Sequence, residues 1–222
     1  MSGLLLRMYP SRDFPERLTS RYMLLDGTVR RTAMAIEVAA SRRLFTREEY
    51  YRMGEVGILK RSDHVELIKG EIVTMSPMGL RHRAFVFNLH RLLAVRLDER
   101  AAIWVQLPIV LTEHSEPEPD LAIYRLREAV PYKERAPHAE DALLVIEVAE
   151  SSLAYDRSTK LRLYAEAGIP EYWVVDCLAE SVDVHRAPDA AAYRDVSRVE
   201  GAASVSPRAF PDVVLPLAKI FA

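Results

Sequence analysis

An acidic residue inside an otherwise apolar run, Leu143-Leu144-Val145-Ile146-Glu147-Val148-Ala149, constrains what this chain can fold into. The run reads as an apolar strand. Burying an ionised carboxylate there is costly unless a cation or a set of hydrogen bonds compensates it. The same tension recurs upstream, where Glu118-Pro119-Asp120 leads into Leu121-Ala122-Ile123-Tyr124. Proline is permitted at a strand start, where no ladder donor is needed. Asp120 and Glu147 thus sit in or at the ends of apolar strands, and one shared metal ion would account for both. Ordinary alternatives are a turn role for Asp120 and an arginine partner for Glu147.

Around these strands the chain alternates between helical and extended patterns. Thr46 followed by Glu49 has the form of a capping box at a helix start. His64–Ile68 and Glu71–Met75 flank Lys69-Gly70, a hairpin signal. Phe85, Leu89, Leu92, Leu93 and Leu97 keep helical spacing and predict a helix over about 80–100. A strand is expected from Ile103 to Leu111, with Pro108 marking an edge or a bulge. Ser151 or Ser152 is placed to cap a helix from about Tyr155 to Ala167, which Gly168 and Pro170 end. Glu171–Asp176 and Ser181–Arg186 read as two more strands, followed by a tail rich in Ala, Ser and Pro. This order suits the α+β class, α/β-like in its alternation, with a central mixed sheet flanked by helices. Residues 1–40 show no sustained period and are expected to form a loosely attached arm, leaving 41–222 as the domain.

Composition narrows the function classes. A formal net charge of -2 over 222 residues gives no global basic field for coating nucleic acid, though a local basic groove is compatible with it. The single cysteine excludes an internal disulfide framework and a multi-thiolate zinc site. Leu4-Leu5-Leu6 is too short for a signal sequence and no apolar stretch is long enough to span a bilayer, so no membrane association and a cytoplasmic location are expected. The six histidines are dispersed and no glycine-rich phosphate loop occurs.

Lys160 stands out because only five lysines (Lys60, Lys69, Lys133, Lys160 and Lys219) occur among 30 basic residues. In an arginine-rich chain, a lysine near two candidate ligands suits a role for a compact ammonium, such as holding charge on a phosphorane or positioning a water. The competing interpretation is a surface pair with Asp156 one helical turn earlier, contributing a few tenths of a kcal/mol.

Together these segments resemble a known family. Val65-Glu66-Leu67-Ile68-Lys69-Gly70-Glu71, Met75-Ser76-Pro77 and His82 match its N-terminal part. Glu118-Pro119-Asp120-Leu121 and Ile146-Glu147-Val148 match its centre. Asp156-Arg157, Lys160 and the run Tyr164-Ala165-Glu166-Ala167-Gly168-Ile169-Pro170-Glu171-Tyr172-Trp173 match its C-terminal signature. The chain resembles the Uma-two-type family of bacterial restriction endonucleases, within the PD-(D/E)XK nuclease superfamily, over roughly residues 42–186.

The resemblance implies a restriction-endonuclease-like core and metal-dependent hydrolysis of DNA phosphodiester bonds. Asp120 would be the aspartate of the PD motif and Glu147 the acidic residue of the second motif. Asp120, Glu147 and the carbonyl of Val148 would hold Mg²⁺ or Mn²⁺, and Lys160 would act beside them. Glu66, His82 and Asp156 are further candidates for the same cleft. The chain departs from the superfamily at Ala149, where a lysine would share the strand face of Glu147; Lys160, from the following helix, is the substitute. Cutting both DNA strands would favour a homodimer. The alternative is a catalytically silent DNA- or protein-binding module that retains the fold, and a third reading is a structural domain whose carboxylates pair with arginines.

Overall fold

A computed structural model describes residues 42–127 and 132–222, apart from the side chain of residue 61. The arm expected over residues 1–40 lies outside the described residues.

The first helix, α1 (Arg47–Glu55), starts where the capping box places it. The Glu49 amide donates to Thr46 Oγ1 at 3.2 Å, and the Thr46 amide donates to the Glu49 carboxylate at 3.1 Å. The hairpin β1 (Val65–Ile68) and β2 (Glu71–Thr74) turns on Lys69 and Gly70, with φ of 49° and 78°. Two successive positive φ values match the right-handed twist of the flanking strands. The long helix α2 (Leu80–Leu97) buries Phe85, Val86, Leu89, Leu92, Leu93 and Leu97 along one stripe.

The central sheet has six strands: β3 (Ala102–Val105), β4 (Leu121–Tyr124), β5 (Ala142–Ala149), β6 (Glu171–Asp176), β7 (Ser181–Asp189) and β8 (Ala192–Val199). They lie side by side in chain order, antiparallel except for the parallel pair β5–β6. A parallel neighbour requires a crossover. Here it contains α3 (Leu153–Tyr155), a π-helical stretch over Asp156–Lys160, and α4 (Leu161–Glu166).

The period-2 alternation of the strands divides the core into two layers. Leu121, Ile123, Leu144, Ile146, Val148, Trp173 and Val175 pack with the apolar stripe of α2. Ala122, Tyr124, Val145, Ala149, Tyr172 and Val174 pack with Tyr164, Ala165 and Ile169 from the crossover. Glu147 falls on the second face by the same alternation.

Three expectations need correction. The strand predicted from Ile103 to Leu111 spans only Ala102–Val105, because Gln106 turns the chain with φ of 50°. The region after Arg186 is not an irregular tail: β7 continues to Asp189 and β8 pairs with it, a strand hidden by its mostly exposed, polar face. Ser152 precedes α3, but its hydroxyl bonds Asp156 Oδ2 at 2.5 Å rather than a helix amide. Farther on, Val213, Leu215, Leu217 and Ile220 close the α2 side of the core.

Candidate active site

Adjacency of β4 and β5 brings the two strand carboxylates together, since Leu121 pairs with Ile146 and so places Asp120 beside Glu147. The amide of Val148 donates to Asp120 Oδ2 at 2.8 Å, and the amide of Asp120 faces Glu147 Oε2 at 3.4 Å. His82, in the first turn of α2, contacts the same Asp120 Oδ2 through Nε2 at 3.0 Å. Gln106, in the residue after β3, donates to Asp120 Oδ1 at 3.3 Å.

The crossover supplies the other side. Lys160 Nζ donates to Glu147 Oε1 at 2.9 Å, and the Tyr164 hydroxyl donates to the same oxygen at 2.7 Å. Lys160 also lies 3.3 Å from Glu66 Oε2, which accepts the Glu118 amide at 3.2 Å. Lys160 is only 6% exposed, so the surface pair with Asp156 is not its environment. Because α3 and α4 cover the sheet face that bears Glu147 and Ala149, the crossover provides the ammonium that position 149 does not. The π-helical stretch ends at Lys160 itself, and single-turn π segments inside helices recur at functional sites.

Charge is concentrated and largely buried here. Burial pushes the Glu147 carboxyl up to about 8 against the opposing pull of Lys160, and Asp156, Asp120 and Glu66 add to the rise. Burial would lower the pKa of Lys160, but Glu147, Glu66 and Asp156 outweigh it and raise it above the ordinary lysine value. Lys160 is therefore a held cation, suited to stabilising negative charge and not to taking a proton. Burial also pushes Asp156 up to about 6, partly opposed by the Ser152 hydrogen bond and by Lys160.

The donor set can be tested against a hard divalent cation. Glu147 Oε1 is engaged by Lys160 and Tyr164, and Asp120 Oδ2 by Val148 and His82. Among the described residues, only the longer contacts of 3.3 and 3.4 Å reach Asp120 Oδ1 and Glu147 Oε2. One oxygen of each carboxylate is thus fixed by the protein and the other is offered. Among the described residues no group of three or more His, Cys, Asp or Glu side chains is arranged to hold a metal ion. Two carboxylate oxygens fit Mg²⁺, which keeps several waters and uses one or two carboxylates with substrate phosphate; they do not fit a closed zinc site.

The six side chains singled out from the sequence, Asp120, Glu147, Lys160, Glu66, His82 and Asp156, lie in one region, buried or, for Asp120, half-buried, and Val148, the seventh candidate, adjoins Asp120 through its amide. The sequence reading did not single out Gln106 or Tyr164 as site residues. Tyr164 carried a usable signal, one helical turn beyond Lys160. Gln106 carried none, because its approach to Asp120 depends on the β3–β4 pairing and its own left-handed backbone.

A mixed six-stranded sheet with helices on both faces and paired carboxylates at adjacent strands defines a protein of nuclease-like fold. Residues 47–218 match the Uma2 family, described as "Putative restriction endonuclease". The chain belongs to the Uma2 family. It is also similar to the crystal structure of "a putative nuclease belonging to DUF820" from Anabaena variabilis ATCC 29413, with 19% identity and a TM-score of 0.64. That similarity covers 80% of this chain and 97% of the other. No curated protein matches the chain. No helix among the described residues is long and apolar enough to cross a membrane.

Proposed function

We propose that the protein is an endonuclease that hydrolyses DNA phosphodiester bonds with Mg²⁺ or Mn²⁺, using Asp120, Glu147 and Lys160. The observation that carries this reading is the contact of a buried lysine with a strand glutamate whose other oxygen faces the residue bearing the second carboxylate. Asp120 Oδ1 and Glu147 Oε2 would hold the ion, with the Val148 carbonyl as the third candidate donor. When bound, such an ion polarises a phosphate and lowers the pKa of a coordinated water.

The chain's own groups supply the rest. Val148, His82 and Gln106 fix the Asp120 carboxylate, which lowers the entropy lost when a ligand binds it. Tyr164 and Lys160 fix Glu147 in the same way. The Lys160 ammonium stabilises charge on the phosphoryl oxygens as a water oxygen bonds to phosphorus and a bridging P–O bond breaks. The attacking water gives up its proton to bulk water, and the departing oxygen takes a proton from solvent. Exclusion of water from this buried cluster strengthens each of these interactions.

Plasmid nicking by the full chain in Mg²⁺ or Mn²⁺, compared with EDTA and with Glu147→Gln and Asp120→Asn, tests the reading. Cleavage that needs the ion and falls at least 100-fold in both variants is expected. Calorimetric titration should show Mg²⁺ binding that weakens in the same variants. Cleavage that persists in both variants would overturn these assignments. Absence of ion-dependent cleavage on any DNA, with folding intact, would favour the catalytically silent binding module.

A further inference from the structure

Charge is unevenly distributed on the helix that reaches the site. The 18 residues of α2 contain Arg81, Arg83, Arg91 and Arg96 and no acidic residue, in a chain whose formal net charge is -2. Most other described arginines pair with a carboxylate, from Arg42 with Glu71 to Arg198 with Asp183. Among the described residues none of the four on α2 does so. Arg81, Arg83 and Arg91 are exposed. Among the described residues Arg83 and Arg96 reach only backbone carbonyls, those of Gly79 and Leu92.

The exposed face is ordered as well as basic. Arg83, Phe87, Arg91 and Val95 follow at four-residue intervals and therefore form one stripe. Phe87 is 62% exposed although the opposite stripe of the same helix is fully packed. Arg83, the first residue of the stripe, follows His82, whose ring contacts Asp120, so the stripe starts at the end of α2 that reaches the candidate site.

We propose that this face of α2 binds the sugar-phosphate backbone of a DNA duplex, on the stretch flanking the phosphate held at Asp120 and Glu147. The proposal rests on the nuclease reading for its choice of polyanion and goes beyond it in assigning the binding surface. Guanidinium groups with no carboxylate partner among the described residues are matched to phosphate, which they bind through paired N–H donors. From Arg83 to Arg91 the rise is about 12 Å at 1.5 Å per residue, a span that takes in several phosphates of one duplex edge. The Phe87 ring between them is placed to pack on a sugar. A second copy of the chain is a poor occupant, because pairing two such helices would bring arginines together without an acidic partner.

The test uses full-length Glu147→Gln protein, in which the DNA stays intact, and a fluorescein-labelled 24-base-pair duplex titrated at 50–200 mM KCl. The variants add Arg83→Ala with Arg91→Ala, or Arg194→Ala, whose side chain pairs with Asp189 on β7. Each lost phosphate contact lowers the slope of log K against log salt by about 0.9. The double variant should therefore bind at least tenfold more weakly at 100 mM KCl, with a slope lower by about 1.8. Arg194→Ala should match the parent, and circular-dichroism melts should show equal folding. Unchanged affinity and slope in the double variant, or a parent that binds no duplex, would overturn the proposal. So would a dimer in sedimentation that Phe87→Asp dissociates. Failure of the nuclease reading has a different signature: no cleavage by wild type in Mg²⁺ while the salt-sensitive binding by α2 persists.

Discussion

Removing the Lys160 ammonium tests the electrostatic account of the site without reference to activity. Lys160→Met keeps most of the apolar stem and deletes the charge facing Glu147 at 2.9 Å and Glu66 at 3.3 Å. Breaking a buried ion pair by removing one partner costs about 3–5 kcal/mol, because the remaining charge is uncompensated. That cost depends on pH. Glu147 is already pushed up to about 8 with Lys160 opposing the rise, so in the variant its folded pKa moves higher still. A carboxyl raised above its unfolded value favours the folded state while it holds its proton. That contribution is fully present below about 4.5 and is lost as pH rises through the folded value. Below about pH 8 both proteins keep Glu147 protonated, whereas above it wild type gains by ionising Glu147 beside Lys160 and the variant does not, which widens the gap by about 1.4 kcal/mol per pH unit. A change of 1 kcal/mol moves the melting temperature of a domain this size by about 2–4 °C. Thermal melts should therefore show a deficit of about 6–20 °C at pH 9 that is smaller by about 3–6 °C at pH 6. A deficit independent of pH, or none, would refute the view that Lys160 neutralises a buried carboxylate cluster. The same calculation makes Lys160→Ala a poor activity probe on its own, since lost cleavage would be confounded by lost folding.

Asp156→Asn offers a second pH test. Burial pushes Asp156 up to about 6, so its protonated form favours folding and that contribution fades as pH rises from about 4 to 6. The asparagine variant should flatten the stability curve over that window in urea titrations, and an unchanged curve would count against the shift. Gly70→Ala should destabilise by about 1–3 kcal/mol. Its φ of 78° disfavours a side chain, and an added Cβ would lie 2.5 Å from the Leu44 Cβ and 3.0 Å from the Leu44 Cα. Denaturant unfolding that places the variant within 0.5 kcal/mol of wild type, roughly the noise of a surface change, would remove that turn from the set of constrained positions.

Much of the architecture is local and was therefore legible in the sequence. The capping box at Thr46 and Glu49, the Lys69-Gly70 turn, the apolar stripe of α2 and the run ending at Glu147 each specify their element through contacts within a few residues. The carboxylate at 147 and the scarcity of lysine likewise singled out residues whose burial needs compensation. Pairing decided the rest. β8 escaped detection because an edge strand with one polar face needs only its neighbour's ladder to form. Gln106 reaches Asp120 only because β3 lies against β4 and the chain turns there. Tyr164 and Lys160 share one oxygen of Glu147 because the crossover settles on the sheet face where Glu147 points. With Ala149 on β5, the sequence already pointed to Lys160 of the following helix as the substitute cation; packing of the crossover is what carries its ammonium to Glu147. Sequence sets which groups are costly to bury through their chemistry; the tertiary structure sets which partner meets that cost, because distances between separate elements arise only when the sheet and helices close on one another.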